Sequence, residues 1–229
     1  MRTFIINYKA YEEAFTEGIE IAKYSKQIEN KLGVNIIVAP PFTMLKDVKG
    51  VADTIAQSVD EVDPGAFTAH VTWFELKNAG IKGTLLNHSE KRYAASKNGE
   101  IDYGRLKKAV EKCKSAGLKT YVCVQNTEEA RHVLKMQPTA IAYEPPELIG
   151  GDISVSSSKP EIVKEFCDIV KSGSASLPLI GAGIKTPEDV KKSVELGAEG
   201  ILVASGVMKS KDFESEIEGL AAPLAEKKR

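Results

Sequence analysis

Five polar side chains stand where short apolar runs stop: Asn7 and Lys9 after the first run, Asn87 and His88 after the fourth and Glu144 after the sixth. They supply two amides, a fixed cation, an imidazole and a carboxylate. A carbon acid next to a carbonyl is weak, so removing its proton calls for a positioned base and for donors and a cation aimed at the oxygen that becomes negative. Two later runs end in small residues, Gly181-Ala182-Gly183 and Ala204-Ser205-Gly206. Backbone N–H groups in such turns can point at a phosphate. Taken singly, each feature also has a plain reading: Glu144 as a solvated carboxylate at a strand end, His88 as a histidine held in a capping network, Gly183 and Gly206 as turn glycines.

The neighbouring residues add chemistry. Glu144 is followed by Pro145-Pro146-Glu147-Leu148-Ile149-Gly150-Gly151-Asp152, a stretch bracketed by a proline pair and a glycine pair. That spacing predicts a loop stiff in the middle and hinged at its ends, a lid over 145–156. After His88 comes Ser89-Glu90-Lys91-Arg92, where Ser89 is expected to cap a short helix. A helix N-terminus facing the imidazole disfavours its cation, leaving a neutral ring able to donate to a carbonyl oxygen. His70 and His132 fall in predicted helices at 68–79 and 128–135 and read as surface or packing residues. Cys113, Cys123 and Cys167 form no CxxC or Cys/His cluster, so they read as reduced, buried thiols, and no metal site is expected.

Eight apolar runs must position these groups: 3–8, 35–39, 54–57, 84–87, 120–124, 139–143, 177–181 and 200–204. They are near-continuous rather than alternating, as in parallel strands covered on both faces. Helical signals lie between them. Leu106, Ala109, Val110 and Cys113 recur at helical spacing ahead of Gly117; Thr186-Pro187-Glu188-Asp189 carries an N-cap, a first-turn proline and carboxylates. Asn126 with Glu129 matches a capping box, and Pro160 opens a helix bearing Val163, Phe166 and Val170. Strand and helix alternate without a break in composition. The expected fold is therefore a single α/β domain over 1–229, a (β/α)8 TIM barrel by strand count, with an open doubly wound sheet as the alternative. In a barrel the groups above would all lie on the C-terminal face of the strands.

Composition narrows the partners. Of 229 residues, 31 are basic and 32 acidic, for a net charge of −1. No overall field favours nucleic acid or an anionic membrane surface. Apolar residues make up 42% of the chain, enough for a sizeable core, yet no run of about 18 apolar residues occurs and the first residues are too short a run for a signal peptide. A cytoplasmic protein is expected.

At these residues the sequence resembles the triosephosphate isomerase family. The resemblance rests on Asn7-Tyr8-Lys9 after the first strand, His88-Ser89-Glu90 after the fourth, and Ala142-Tyr143-Glu144-Pro145 running into Ile149-Gly150. Gln57-Ser58-Val59-Asp60 and Gly65-Ala66-Phe67-Thr68 look like the family's third loop. The motifs keep their order from Asn7 to Ser205. Tyr8 stands where many members have tryptophan, the lid reads Pro146-Glu147-Leu148, and strand seven ends Gly-Ala-Gly rather than in a Gly-Gly-Ser turn. These departures and the short chain are similar to the archaeal branch.

The resemblance implies a metal-free, cofactor-free isomerase of triose phosphates, acting in glycolysis and gluconeogenesis. It implies Glu144 as the base, His88 as the neutral electrophile, Lys9 as the cation near the substrate oxygens and phosphate, and Asn7 as a further donor. It places the phosphate on the N–H groups of Ile149, Gly150, Gly183, Ala204 and Ser205. It also implies a homo-oligomer, a homotetramer or alternatively a homodimer, with 62–68 docking on a neighbour. Two other readings keep the barrel: an isomerase of larger phosphosugars, and a phosphate-binding protein without catalysis.

Overall fold

The computed structural model of the chain describes residues 1–93, 100–148 and 154–225. Its strands are β1 (Thr3–Asn7), β2 (Asn35–Ala39), β3 (Asp53–Thr54), β4 (Gly83–Leu86), β5 (Lys119–Val124), β6 (Ala140–Tyr143), β7 (Leu177–Ile180) and β8 (Gly200–Val203). Neighbours pair in parallel in the order β3-β2-β1-β8-β7-β6-β5-β4. The ends of that order meet through a parallel bridge between Ala56 and Thr84. There the Ala56 N–H donates to Gly83 O at 2.9 Å and the Leu85 N–H to Ala56 O at 2.8 Å. The closed barrel, not the open sheet, is the architecture.

Two-residue alternation along each strand splits the apolar residues into two cores. Ile5, Ile37, Ala39, Leu85, Tyr121, Cys123, Ala140, Ala142, Leu179 and Leu202 point inward and fill the barrel. Phe4, Ile6, Ile36, Val38, Leu86, Val122, Val124, Ile141, Tyr143, Ile180, Ile201 and Val203 point outward and pack beneath the helices. Each Val, Leu, Ile or Phe among them contributes roughly 1.5–3 kcal/mol by leaving water. Having a core on both faces is why the runs read as continuous rather than alternating.

The helices start and stop where their caps dictate. Helix Pro187–Glu195 opens on a capping box: Thr186 Oγ1 accepts from the Asp189 N–H at 3.2 Å, and Asp189 Oδ2 accepts from the Thr186 N–H at 3.0 Å. Helix Tyr103–Ser115 buries Leu106, Ala109, Val110 and Cys113. Helix Pro160–Gly173 buries Val163, Phe166 and Val170. Phe166 stacks on Tyr143, centroids 5.3 Å apart, so this helix steadies the strand that carries Glu144.

Several local expectations need correction. β3 is two residues long and continues only as the bridge at Ala56, because Asp53 and Thr54 are the residues in register with β2. The helix expected over 68–79 begins at Trp73, where Thr72 and Glu75 form a capping box, which leaves His70 ahead of it, exposed and edge-on to Phe67. His132 does lie in a helix, Thr127–Leu134, stacked on Tyr103. At Asn126 the box is half made: its side chain accepts from the Glu129 N–H, but Glu129 reaches past it to the Gln125 N–H at 2.9 Å. Among the described residues, no helix is long and apolar enough to cross a membrane.

Candidate active site

Asn7, Lys9, His88, Glu144, Gly183, Ala204 and Ser205 line one cavity at the C-terminal mouth of the barrel, together with Tyr11, Gly181, Ile184, Lys185 and Gly206. Residues that lie as much as 199 positions apart in sequence, Asn7 and Gly206, thus converge, because parallel strands bring all their C-terminal ends to one face. Ile149 and Gly150 lie outside the described residues, as does the middle of the expected lid. Its entry is a short 3-10 turn, Pro146–Leu148, and its exit a four-residue helix, Val155–Ser158, whose first N–H is bound to Ala182 O at 3.1 Å.

β1 delivers Asn7 into the mouth, where it is 4% exposed. The chain then turns through Lys9 in left-handed backbone, φ 47°, a conformation that side chains other than glycine rarely adopt. Asn7 Oδ1 accepts the Lys9 N–H at 3.0 Å, and the amide of Gln57 donates to the Lys9 carbonyl at 2.8 Å. Lys9 Nζ meets Glu90 Oε1 at 2.8 Å. Tyr8 is buried and donates its hydroxyl to Gly18 O at 3.0 Å, tying the first turn to the helix Gly18–Leu32. Burial pushes that phenol's pKa far up, so it stays a neutral donor.

β4 ends similarly. Asn87, also left-handed at φ 59°, donates to Cys123 O at 3.0 Å and accepts the Tyr93 N–H at 3.1 Å. The short helical turn Ser89–Lys91 is capped by His88 itself and not by Ser89: His88 Nδ1 accepts the Glu90 N–H at 3.2 Å. This hydrogen bond settles the tautomer of the neutral ring. Nδ1 is the acceptor, so Nε2 carries the hydrogen, and Nε2 lies 3.9 Å from Glu144 Oε2. Glu90 faces both partners. Burial opposes its ionisation, but the hydrogen bond and charge of Lys9, with a smaller contribution from His88, outweigh it and hold the carboxyl below the usual range.

Glu144 is 5% exposed, and its Oε2 is fully buried with no hydrogen-bond partner. The distance to His88 Nε2 is too long for a hydrogen bond, so the two groups flank one spot from different strands. Behind the carboxylate lies Cys123, buried on β5; burial first, then the charge and hydrogen bond of Glu144, push this thiol's pKa well up and keep it protonated. Burial likewise pushes Cys113 and Cys167 up to about 12. All three cysteines are free and buried, and among the described residues no cluster of three His, Cys, Asp or Glu is placed to hold a metal.

The register of β6 and β7 pairs Tyr143 with Ile180, so Glu144 and Gly181 emerge side by side. A Cβ at Gly181 would stand 2.5 Å from Glu144 Cγ and 2.7 Å from Oε1. Any other residue there would force the carboxylate to shift from its present position. Two residues on, Gly183 takes φ 70° in the turn toward the cavity, and the short helix Ser205–Met208 starts at the same wall, so backbone N–H groups gather there around Ala204 and Ser205.

The polar groups at the strand ends and the small-residue turns were legible in the sequence, but several of their supports were not. Gly181 was legible only as part of a turn; the signal that could have found it is strand register, since the residue beside Glu144 on the next strand must leave it space. Glu90 stood within a motif without a role. Asn87 stood at a strand end without a role, and Gln57, a polar residue at the end of an apolar run, carried the same positional signal as Asn7.

A family model described as triosephosphate isomerase matches residues 2–220. The triosephosphate isomerase of Methanocaldococcus jannaschii is 40% identical over 223 residues, covering 94% of this chain and 97% of that protein. That of Caldivirga maquilingensis is 42% identical over 227 residues, covering 97% of each. That of Saccharolobus solfataricus is 41% identical over 217 residues, covering 93% of this chain and 92% of that protein.

Proposed function

The chain belongs to the triosephosphate isomerase family, and from that premise we propose which of its residues carry the reaction. The reaction itself interconverts dihydroxyacetone phosphate and D-glyceraldehyde 3-phosphate. Glu144 takes a proton from the carbon next to the carbonyl and returns it to the neighbouring carbon. As the proton leaves, negative charge builds on the carbonyl oxygen, and the Nε2–H of His88 donates to it. Lys9 supplies a fixed positive charge and Asn7 a second donor near the substrate oxygens. The phosphate rests on N–H groups of Gly183, Ala204 and Ser205, with Ile149 and Gly150 completing the site from the lid over 145–156. An enediolate phosphate open to water can expel its phosphate, which gives the lid its purpose.

The observation that carries this reading is the unpartnered, buried Oε2 of Glu144 across from a histidine whose donor face is set by its other nitrogen. The test is turnover of glyceraldehyde 3-phosphate to dihydroxyacetone phosphate by the folded protein and by Glu144→Gln. The wild type should turn over and the variant should lose roughly 10²–10⁴-fold in kcat with an unchanged melting temperature. Full activity in the variant removes Glu144 from the role.

The assembly we propose is a homotetramer, with a homodimer as the alternative. Its support is the exposed apolar group Phe42, Phe67 and Phe74 on and beside the loop at 62–68. Light scattering that finds only monomer at micromolar concentration would refute it. We place the protein in the cytoplasm because three free, protonated thiols suit a reducing compartment; fractionation of the source cells checks this.

A further inference from the structure

Gln57 follows β3 and reaches across the mouth to the first two strands. Its side-chain nitrogen donates to Lys9 O at 2.8 Å and to Ala39 O at 2.9 Å. Two carbonyl acceptors fix the amide's orientation, since its oxygen could not face either of them. Ala39 O also accepts the Tyr8 N–H at 3.0 Å, so the residue before Lys9 and the carbonyl of Lys9 hang from one point at the end of β2.

We propose that Gln57 is a positioning residue for Lys9. Lys9 stands in left-handed backbone that an unrestrained lysine would leave. Asn7 holds its N–H and Gln57 its carbonyl, so both peptide groups flanking the Cα are fixed. The Cα–Cβ bond is thereby aimed into the mouth, and the ammonium reaches Glu90 beside His88. Released at the carbonyl, the backbone would relax toward an ordinary φ and carry the long side chain off its target. This inference rests on the reading of Lys9 as the cation that meets the substrate.

The experiment measures KM, kcat and melting temperature for Gln57→Met, which keeps the length of the side chain and removes the donor, alongside Lys9→Met. Gln57→Met should raise KM about tenfold, change kcat by less than about threefold and leave Tm within about 3 °C. An unchanged KM overturns the proposal, and so does a KM rise accompanied by comparable loss of kcat and Tm, the mark of general loosening. Should Gln57→Met not fold, Gln57→Glu takes its place. A carboxylate there faces two carbonyl oxygens and cannot donate until protonated, so the ratio of its KM to that of wild type should be largest near pH 8 and shrink toward pH 5. A constant ratio overturns the proposal. Near wild-type behaviour in Lys9→Met would bring down the reading of Lys9, and the inference with it. A crippled Lys9→Met beside an unaffected Gln57 variant would bring down the inference alone.

Discussion

At the ends of β1 and β4, Lys9 and Asn87 leave their strands in left-handed backbone and are fixed by amide side chains, whereas at the ends of β6 and β7 Glu144 is held by strand register and by the missing side chain of Gly181. The first side needs polar clamps because it presents donors and a cation from turns, where the backbone has choices. With Glu144 as the proposed base, the acidic side needs shape, because a polar clamp on Oε2 would satisfy the oxygen that is to accept the proton. The same barrel mouth is therefore built by a network of amide hydrogen bonds on one side and mainly by packing on the other, where the thiol of Cys123 is the polar neighbour of Glu144, and different substitutions should break each.

Gly181→Ala should do the greater damage. The new methyl must push Glu144 aside, and a displacement of about 1 Å at a reacting group can cost about 10²-fold in rate. We expect kcat to fall by about that factor while Tm changes little, measured by steady-state turnover and thermal melting. A fully active Gly181→Ala would show that the carboxylate has room it does not have in this structure.

Asn87→Ala attacks the clamped side. It loses the bonds to Cys123 O and from the Tyr93 N–H and puts alanine at φ 59°, so stability should drop by about 1–3 kcal/mol in urea unfolding. Asn87→Gly tolerates the backbone and should lose less. Equal losses would mean that the left-handed turn adds no cost, and the contrast between the two sides would weaken.

The smallest effect concerns Glu90. Its carboxyl is held below the usual range, so the stability contributed by the Lys9–Glu90 pair is fully present above the ordinary carboxylate pKa of about 4.3 and is lost as the pH falls through the lower folded value. Because Glu90 is largely exposed, Glu90→Gln should cost no more than about 1 kcal/mol at pH 7. The gap to wild type should close below about pH 4. A gap in Tm that widens on acidification would reverse the assigned direction.

Much of this was legible in the chain. Seven of the eight strands fall within a residue or so of the apolar runs, because burial on both faces demands continuous apolar sequence. β3 was the poor match, since its pairing depends on closure between Ala56 and Thr84, far apart in sequence. Asn7, Lys9, His88 and Glu144 stood out because polar groups ending apolar strands lie on the one face where a barrel can use them. The cap at His88 was misplaced by one residue, since an imidazole nitrogen did the work expected of the serine hydroxyl.

The sequence by itself determined the alternation, the strand-end chemistry and, through its motifs, the family. Local propensity and burial pattern suffice for the first two, and both are written residue by residue. Only the tertiary structure decided that Glu144 lies against Gly181, that Gln57 reaches Lys9, and that His88 presents Nε2 to the carboxylate. Those are contacts between strands distant in the chain, and they exist only once register and closure have set which ends are neighbours.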